Sequence, residues 1–301
     1  MNSQVKKPDI VLVMVPPWET KMPPIGIAYL ASYLNSHRFN SKVIDLNAYL
    51  YNKASQKNKG FWEMETLFQL LPRQVAKDLV RAFNKEVDSF VNQVLSIETK
   101  FIGFSVNYMS LFVAEKITEI IKQRDKKRII IFGGPGCYWD FYKVKEGLVD
   151  IFVIGEGEKP LLNILISFYK KGIIEDIPGT LIHRDGKYIG EQRPDPVKKL
   201  DTIPFPTFKE FDLSLYSLYL KQNTRILPLL SSRGCPRRCS FCVDCTMCAP
   251  YRWKKPEDIL EEIRFHIENN GCNNFSFNDL ECNGNLRQLE AFCDLVIESK
   301  L

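Results

Sequence analysis

Apolar residues come in short, β-branched runs separated by stretches of helical period, and this alternation organises the first two thirds of the chain. The runs are DIVLVMV (9–15), SKVIDL (41–46), KFIGFSV (100–106), RIIIF (128–132) and DIFVIG (150–155). Short, bounded and rich in Val and Ile, each predicts a buried strand. Between them Ile27, Leu30, Ala31 and Leu34 recur at helical spacing, as do Val113, Ile117, Ile120 and Ile121. Pro24 suits a first-turn position. EKPLLNILISFYKK follows the fifth run as a further helix. Strands alternating with amphipathic helices predict parallel βαβ units in a doubly wound α/β sheet.

One segment departs from the rhythm. Residues 48–98 separate the second and third runs where a plain unit needs about twenty residues. Val75, Leu79, Phe83, Val87, Val91 and Val94 keep helical spacing there, predicting an extra helical layer. Beyond the sheet, GTLIHRDGKYIG (179–190) has the pattern of a hairpin turning at RDGK. Pro194, Pro196, Pro204 and Pro206 then mark an extended linker over 191–223, so that 1–190 and 224–301 are expected to be separate domains. In the second, TRILPLLSS (224–232) restarts strand character. Pro256 opens a helix with Ile259, Leu260, Ile263 and Ile267 inward, NNFSFND (273–279) reads as a strand, and 285–299 as a helix.

Composition narrows the chemistry. With 301 residues and 45% hydrophobic content the chain can bury two ordinary cores, and a net charge of +5 gives no argument for a nucleic-acid partner. No segment has the roughly 18 uninterrupted apolar residues of a membrane span, and the first apolar run ends too soon at Pro16-Pro17 for a signal peptide. A reducing cytoplasm is therefore the expected location, and thiols there are rarely paired. Of nine cysteines, five fall within SSRGCPRRCSFCVDCTMC (231–248). Disulfides, zinc, an iron–sulfur cluster and an accident of composition are the candidates. Structural zinc usually takes two separated ligand pairs, whereas Cys235, Cys239 and Cys242 have C-x3-C-x2-C spacing in one run.

SSRGCPRRCSFC after a strand resembles the cluster loop of radical S-adenosylmethionine enzymes. The runs from VMVPPWETKMPPIGIAYLASYL to VDIFVIGEGEKPLLNIL resemble, in order, the cobalamin-binding domain that precedes the radical domain in one large subfamily. DTIPFPTFKEFDLSLY resembles the connector between them. The resemblance implies a flavodoxin/Rossmann-like domain followed by the start of a partial TIM-type (β/α) barrel, and the barrel of that family has about six units where this chain shows about two. An N-terminal portion of a longer protein is the expectation.

The same resemblance implies the cofactors and most of the site. Cys235, Cys239 and Cys242 would hold three irons of a [4Fe–4S] cube, leaving the fourth to chelate S-adenosylmethionine. An electron from the cluster would cleave that cofactor to a 5′-deoxyadenosyl radical. Phe241 and Asp279 lie where the family places groups near S-adenosylmethionine, although a strand-end Asp is also an ordinary helix cap. Ligands of doubly wound sheets sit outside the carboxyl ends of the strands. The turns there give Pro17, Ser105, Val106, Gly133, Gly134, Gly155, Glu156 and Gly157 as a cobalamin cradle. Bulk at Gly133 or Gly134 is expected to block the ring without unfolding the sheet, with Gly134→Val as the variant that tests it.

The D-x-H-x-x-G signature of many cobalamin domains is absent. His37, His183 and His266 read as surface or packing residues, so a bound cobalt would receive no histidine. Cys245 and Cys248 lie beyond the family motif, as spare thiols or as ligands to a different metal. The expected function is a cobalamin-dependent radical enzyme acting on a small molecule or peptide, by methyl transfer or rearrangement, and supplied with electrons by a flavodoxin or ferredoxin. The alternative is a non-catalytic corrinoid- or metal-binding module.

Overall fold

The computed structural model describes residues 7–63, 71–192, 195–216, 226–242, 244 and 250–301. Cys245, Cys248, Pro194 and the first two residues of TRILPLLSS lie outside the described residues. Five strands, β1 (Ile10–Met14), β2 (Ser41–Asp45), β3 (Phe101–Ser105), β4 (Ile129–Gly133) and β5 (Ile151–Val153), are parallel. The hairpin β6 (Thr180–Arg184) and β7 (Lys187–Gly190) adds two antiparallel strands, giving the order β2-β1-β3-β4-β5-β6-β7. The order reverses between β1 and β3, the switch point at which open α/β sheets bind ligands.

Alternate residues of each strand serve opposite faces. Val11 and Val13 of β1 join Ile102, Phe104, Ile130 and Phe132 on one face. Ile10, Leu12 and Met14 join Phe101, Ile131 and Val153 on the other. Both faces are covered, which is why the strands read as continuous apolar runs. The second face packs on α1 (Ile25–Ser36) and on a long helix, Glu158–Lys171. The first face packs on Leu111–Arg124 and on the helical insert: α2 (Leu46–Lys53), α3 (Pro72–Ala82) and α4 (Asn84–Ser96). We label Leu111–Arg124 α5, the short Pro135–Asp140 α6 and Glu158–Lys171 α7. The insert is thus the expected layer, broken at Phe83 (φ −115°) into two helices whose Val75, Leu79, Val87, Val91 and Val94 are all buried.

The segment read as a linker is docked along its described length. Phe208, Phe211 and Tyr216 are buried in the core of the second face. The Thr207 N–H donates to Ser32 Oγ (2.8 Å), and the Tyr216 hydroxyl donates to Asp45 (2.6 Å). Apolar side chains fix an extended strap here, where proline content alone suggests a spacer. The strap's core continues into Leu227 and Cys272, so the two parts of the chain share buried surface.

The second part begins β8 (Ile226–Leu229), α8 (Pro256–Asn270), β11 (Asn274–Phe277), α9 (Leu286–Glu298), with β8 and β11 parallel. A small antiparallel pair, β9 (Ser232–Arg233) and β10 (Arg252–Trp253), brackets the cysteine stretch. Among the described residues β8 pairs only with β11, and Leu286, Ile297 and Leu301 are exposed. No helix among the described residues is long and apolar enough to cross a membrane.

Candidate functional site

The register of the large sheet makes a depression at the switch point. One row across the strand ends reads Met14, Ser105, Gly133, Val153, and the next inward row reads Leu12, Gly103, Ile131, Ile151. Both rows face α1 and α7. Gly103, Ser105 and Gly133 have little or no side chain, so the two helices span a hollow instead of packed side chains. The result is a mostly apolar cleft of about 380 Å³. Its mouth carries Gly134, Gly155, Glu156 and Gly157 from the β4 and β5 loops, while Leu230, Ser232, Gly234 and Leu280 of the second part face them. The cleft therefore opens onto the entrance of the cysteine loop.

Six of the eight residues assigned to a cobalamin cradle line this cleft: Ser105, Gly133, Gly134, Gly155, Glu156 and Gly157. Pro17 and Val106 brace the loops behind it. The Pro17 carbonyl accepts from Asn107 Nδ2 (3.2 Å), tying the β1 loop to the β3 loop. Val106 is buried, donating its N–H to the Gly133 carbonyl (2.8 Å) and accepting from the Gly136 N–H (3.0 Å). Gly134 also differs from expectation. It holds φ +105°, and a Cβ there would stand 2.6 Å from the Val106 carbonyl oxygen. Its lack of a side chain serves the backbone as much as the cleft, so bulk at Gly134 strains the β4 turn. Gly133 has no such constraint, because a Cβ would meet Val153 Cβ at an ordinary 3.6 Å.

The cysteine loop leaves β9 through Gly234, in the left-handed region at φ +83°. That conformation favours glycine and turns Cys235 out of the sheet pair. Cys239 is exposed and Cys235 and Cys242 are half-buried; the Cys242 N–H donates to the Cys239 carbonyl (3.1 Å), forming a tight turn. Three thiol donors on one accessible loop suit an iron–sulfur cluster by chemistry. Among the described residues, no three His, Cys, Asp or Glu side chains are already gathered to hold a metal. Phe241 is 88% exposed. Asp279 is engaged: its carboxylate accepts from the Ser231 N–H (3.1 Å) and hydroxyl (2.7 Å) and from the Ser232 hydroxyl. It thereby fixes the two residues that lead into β9.

Charged residues, all but Glu156 missed by the sequence reading, dominate the mouth. Arg233 donates to Glu158 (2.6 Å), and Arg252 donates to Glu156 (2.6 Å) and to the Val197 carbonyl. Burial opposes ionisation of Glu156, but Arg252, Arg233 and the Val197 N–H together hold its carboxyl below the usual range. Behind them Lys254, 4% exposed, reaches Glu262, 1% exposed, and the Tyr29 hydroxyl (2.7 Å). Burial raises the Glu262 pKa, and Lys254 pulls it back. His266 is wholly buried between Phe208 and Phe265, and burial first and Lys254 second lower its pKa to about 4. It is a neutral packing residue, as expected. His183 packs on Tyr188, and His37 caps α1. Pairings across 75 to 96 positions leave no local pattern, although Gly103 inside an apolar strand is a signal of close approach.

No family model matches the chain. It is 23% identical over 285 residues to the anaerobic magnesium-protoporphyrin IX monomethyl ester cyclase of Rubrivivax gelatinosus, covering 93% of this chain and 45% of that protein. An uncharacterized methyltransferase of Pyrococcus horikoshii is 23% identical, with 84% and 49% covered. The hopanoid C-3 methylase of Methylococcus capsulatus is 26% identical, with 62% and 36% covered. The chain thus spans about half the length, or less, of these curated relatives. Among solved structures, the radical S-adenosylmethionine methyltransferase TsrM from Kitasatospora setae, with cobalamin and a [4Fe-4S] cluster bound, superposes with a TM-score of 0.65 at 14% identity. That match covers 97% of this chain and 53% of TsrM, and it shows a shared fold.

Proposed function

We propose that the chain forms the corrinoid-binding and cluster-bearing part of a cobalamin-dependent radical S-adenosylmethionine enzyme. Its reaction is methyl transfer to, or rearrangement of, a small-molecule substrate. One observation carries the reading: the hollow at the switch point opens directly onto the loop bearing Cys235, Cys239 and Cys242. Relatives named as methyltransferases and a cyclase, and the shared fold of a cobalamin- and cluster-bound methyltransferase, support it.

When bound, a cluster of this kind supplies an electron to S-adenosylmethionine, and cobalamin carries the methyl group. The chain's own part is positional. Cys235, Cys239 and Cys242 would supply thiolates, and residues 235–242 would close to bring them together. Ser105 and Gly133, at the cleft floor, would leave room for part of a corrinoid against the strand ends. No histidine is among the described residues lining this cleft. Asp279 holds Ser231 and Ser232, and through them the start of the loop.

Anaerobic reconstitution with iron and sulfide, followed by assay of 5′-deoxyadenosine under a strong reductant, tests the reading. Sustained formation supports an enzyme. Cobalamin uptake without cleavage supports the non-catalytic module, and iron near zero in a folded protein ends the cluster assignment.

A further inference from the structure

We propose that Arg233 is a positioning residue that registers the cysteine loop against the cleft, using Glu156 and Glu158 as fixed anchors on the sheet domain. Arg233 and Arg252 are direct partners in the antiparallel β9–β10 pair. Two like charges opposite each other destabilise such a pair unless anions intervene. Here they do. Glu156 lies between the two guanidiniums, 2.6 Å from Arg252 and 3.6 Å from Arg233, and Glu158 takes Arg233 at 2.6 Å.

The guanidinium carbon of Arg233 also lies over the Tyr29 ring, 5.1 Å from its centroid, and Lys254 Nζ lies over the same ring at 5.1 Å. Tyr29 is on α1, and Glu156 and Glu158 flank the start of α7. The β9–β10 ribbon is thus bolted to both helices that wall the cleft. Arg233 is two residues from Cys235, so displacement of its head group is passed to the loop through Gly234 alone. The fork matters here: a guanidinium over the Tyr29 ring presents several fixed donors to Glu158 and Glu156 at once, whereas an ammonium is a single point charge. Charge balance would be met by lysine, but register would not.

The test is Arg233→Lys in the full chain, read in two ways; only the second rests on the functional reading above. In cofactor-free protein, amide hydrogen exchange over residues 231–236 should be about tenfold faster than in the parent, while residues 101–105 and the melting temperature stay unchanged. Unchanged exchange at 231–236 overturns the proposal. So does a uniform rise with a lower melting temperature, which assigns Arg233 to bulk stability. The second reading uses protein reconstituted with iron, sulfide and cob(II)alamin and then reduced with dithionite, so that the cluster is in its paramagnetic one-electron-reduced state. Iron and cobalamin contents should match the parent, while cluster-dependent broadening of the cobalt electron-spin resonance is lost. Retained broadening overturns the proposal. If the parent takes up neither cofactor, the functional reading falls and the exchange measurement still decides the role of Arg233. Should lysine prevent folding, Arg233→Met with Glu158→Gln removes both members of the pair and carries the same comparison.

Discussion

Gly133 and Gly134 are neighbours with opposite expectations, and the difference separates a binding role from a folding one. Valine at Gly133 enters the end of β4 with its Cβ 3.6 Å from Val153 Cβ. A β-branched residue suits a pleated strand, and glycine in such a position costs roughly 0.5–1 kcal/mol relative to alanine. Folding should therefore be unchanged or slightly improved, with a melting temperature within about 4 °C of the parent. The added methyl groups occupy the cleft floor between Ser105 and Val153. Overpacking a fitted site costs typically about 1–3 kcal/mol, a roughly five- to 150-fold loss of cobalamin affinity. Valine at Gly134 meets different atoms. At φ +105° the conformation alone costs about 1–3 kcal/mol, and the Cβ must be relieved from the Val106 oxygen at 2.6 Å. That oxygen belongs to the peptide accepting from Gly136, so relief loosens the β4 turn. The Gly134→Val melting temperature should fall by at least about 4 °C. Titration with hydroxocobalamin, followed by absorbance beside thermal melts of both variants, makes the comparison. A well-folded Gly133→Val protein that binds cobalamin as tightly as the parent would refute the placement of the corrinoid in this cleft.

Ala at Cys235, Cys239 or Cys242 should each abolish iron uptake in reconstituted protein, whereas Cys137→Ala, at a wholly buried thiol whose pKa burial pushes up, should leave iron content unchanged. Lys254→Met leaves the Glu262 carboxylate buried without its cation and should destabilise by about 3–5 kcal/mol in denaturant titrations. Adding Glu262→Gln should recover most of that loss, and no recovery would show that Lys254 acts through packing. Asp45 gives a pH signature. Burial raises its pKa from 3.8 to about 6, against the lowering effect of its Tyr216 hydrogen bond, so its stabilising contribution is complete below 3.8 and is lost as pH rises through 6. Asp45→Asn cannot ionise. Its stability relative to the parent should improve by at most about 3 kcal/mol between pH 4 and pH 7, and a pH-independent difference would contradict the shift.

The sheet was legible because it is buried on both faces. Continuous apolar runs such as IVLVM, interrupted by helices of 3.6 period, leave few alternatives to a doubly wound order. The strand-end glycines were legible for a related reason, since small residues at those ends have few purposes. Two kinds of feature were not. Val75 to Val94 keep one helical phase across Phe83, so periodicity alone reads through the break that tertiary packing imposes there. The strap over 195–216 carries prolines that suggest a spacer, yet Phe208, Phe211 and Tyr216 anchor it to the sheet core.

The charged mouth of the cleft shows why a site is harder to read than its fold. Glu156 stands in a GEGE turn and was assigned to a ligand by its place at a strand end. Its carboxylate also pairs with Arg252 and Arg233 and accepts from the Val197 N–H. Arg233 stands within SSRGC, beside cysteines that draw attention to themselves. Nothing local pairs Arg233 with Glu158, 75 positions away, because the pairing exists only once α7 and β9 are side by side. A buried cation removed from water demands such a partner. The sequence therefore shows as local patterns the clustered thiols and the small strand-end residues that make the hollow, while the ion pairs that join the two parts of the chain are written only in three dimensions.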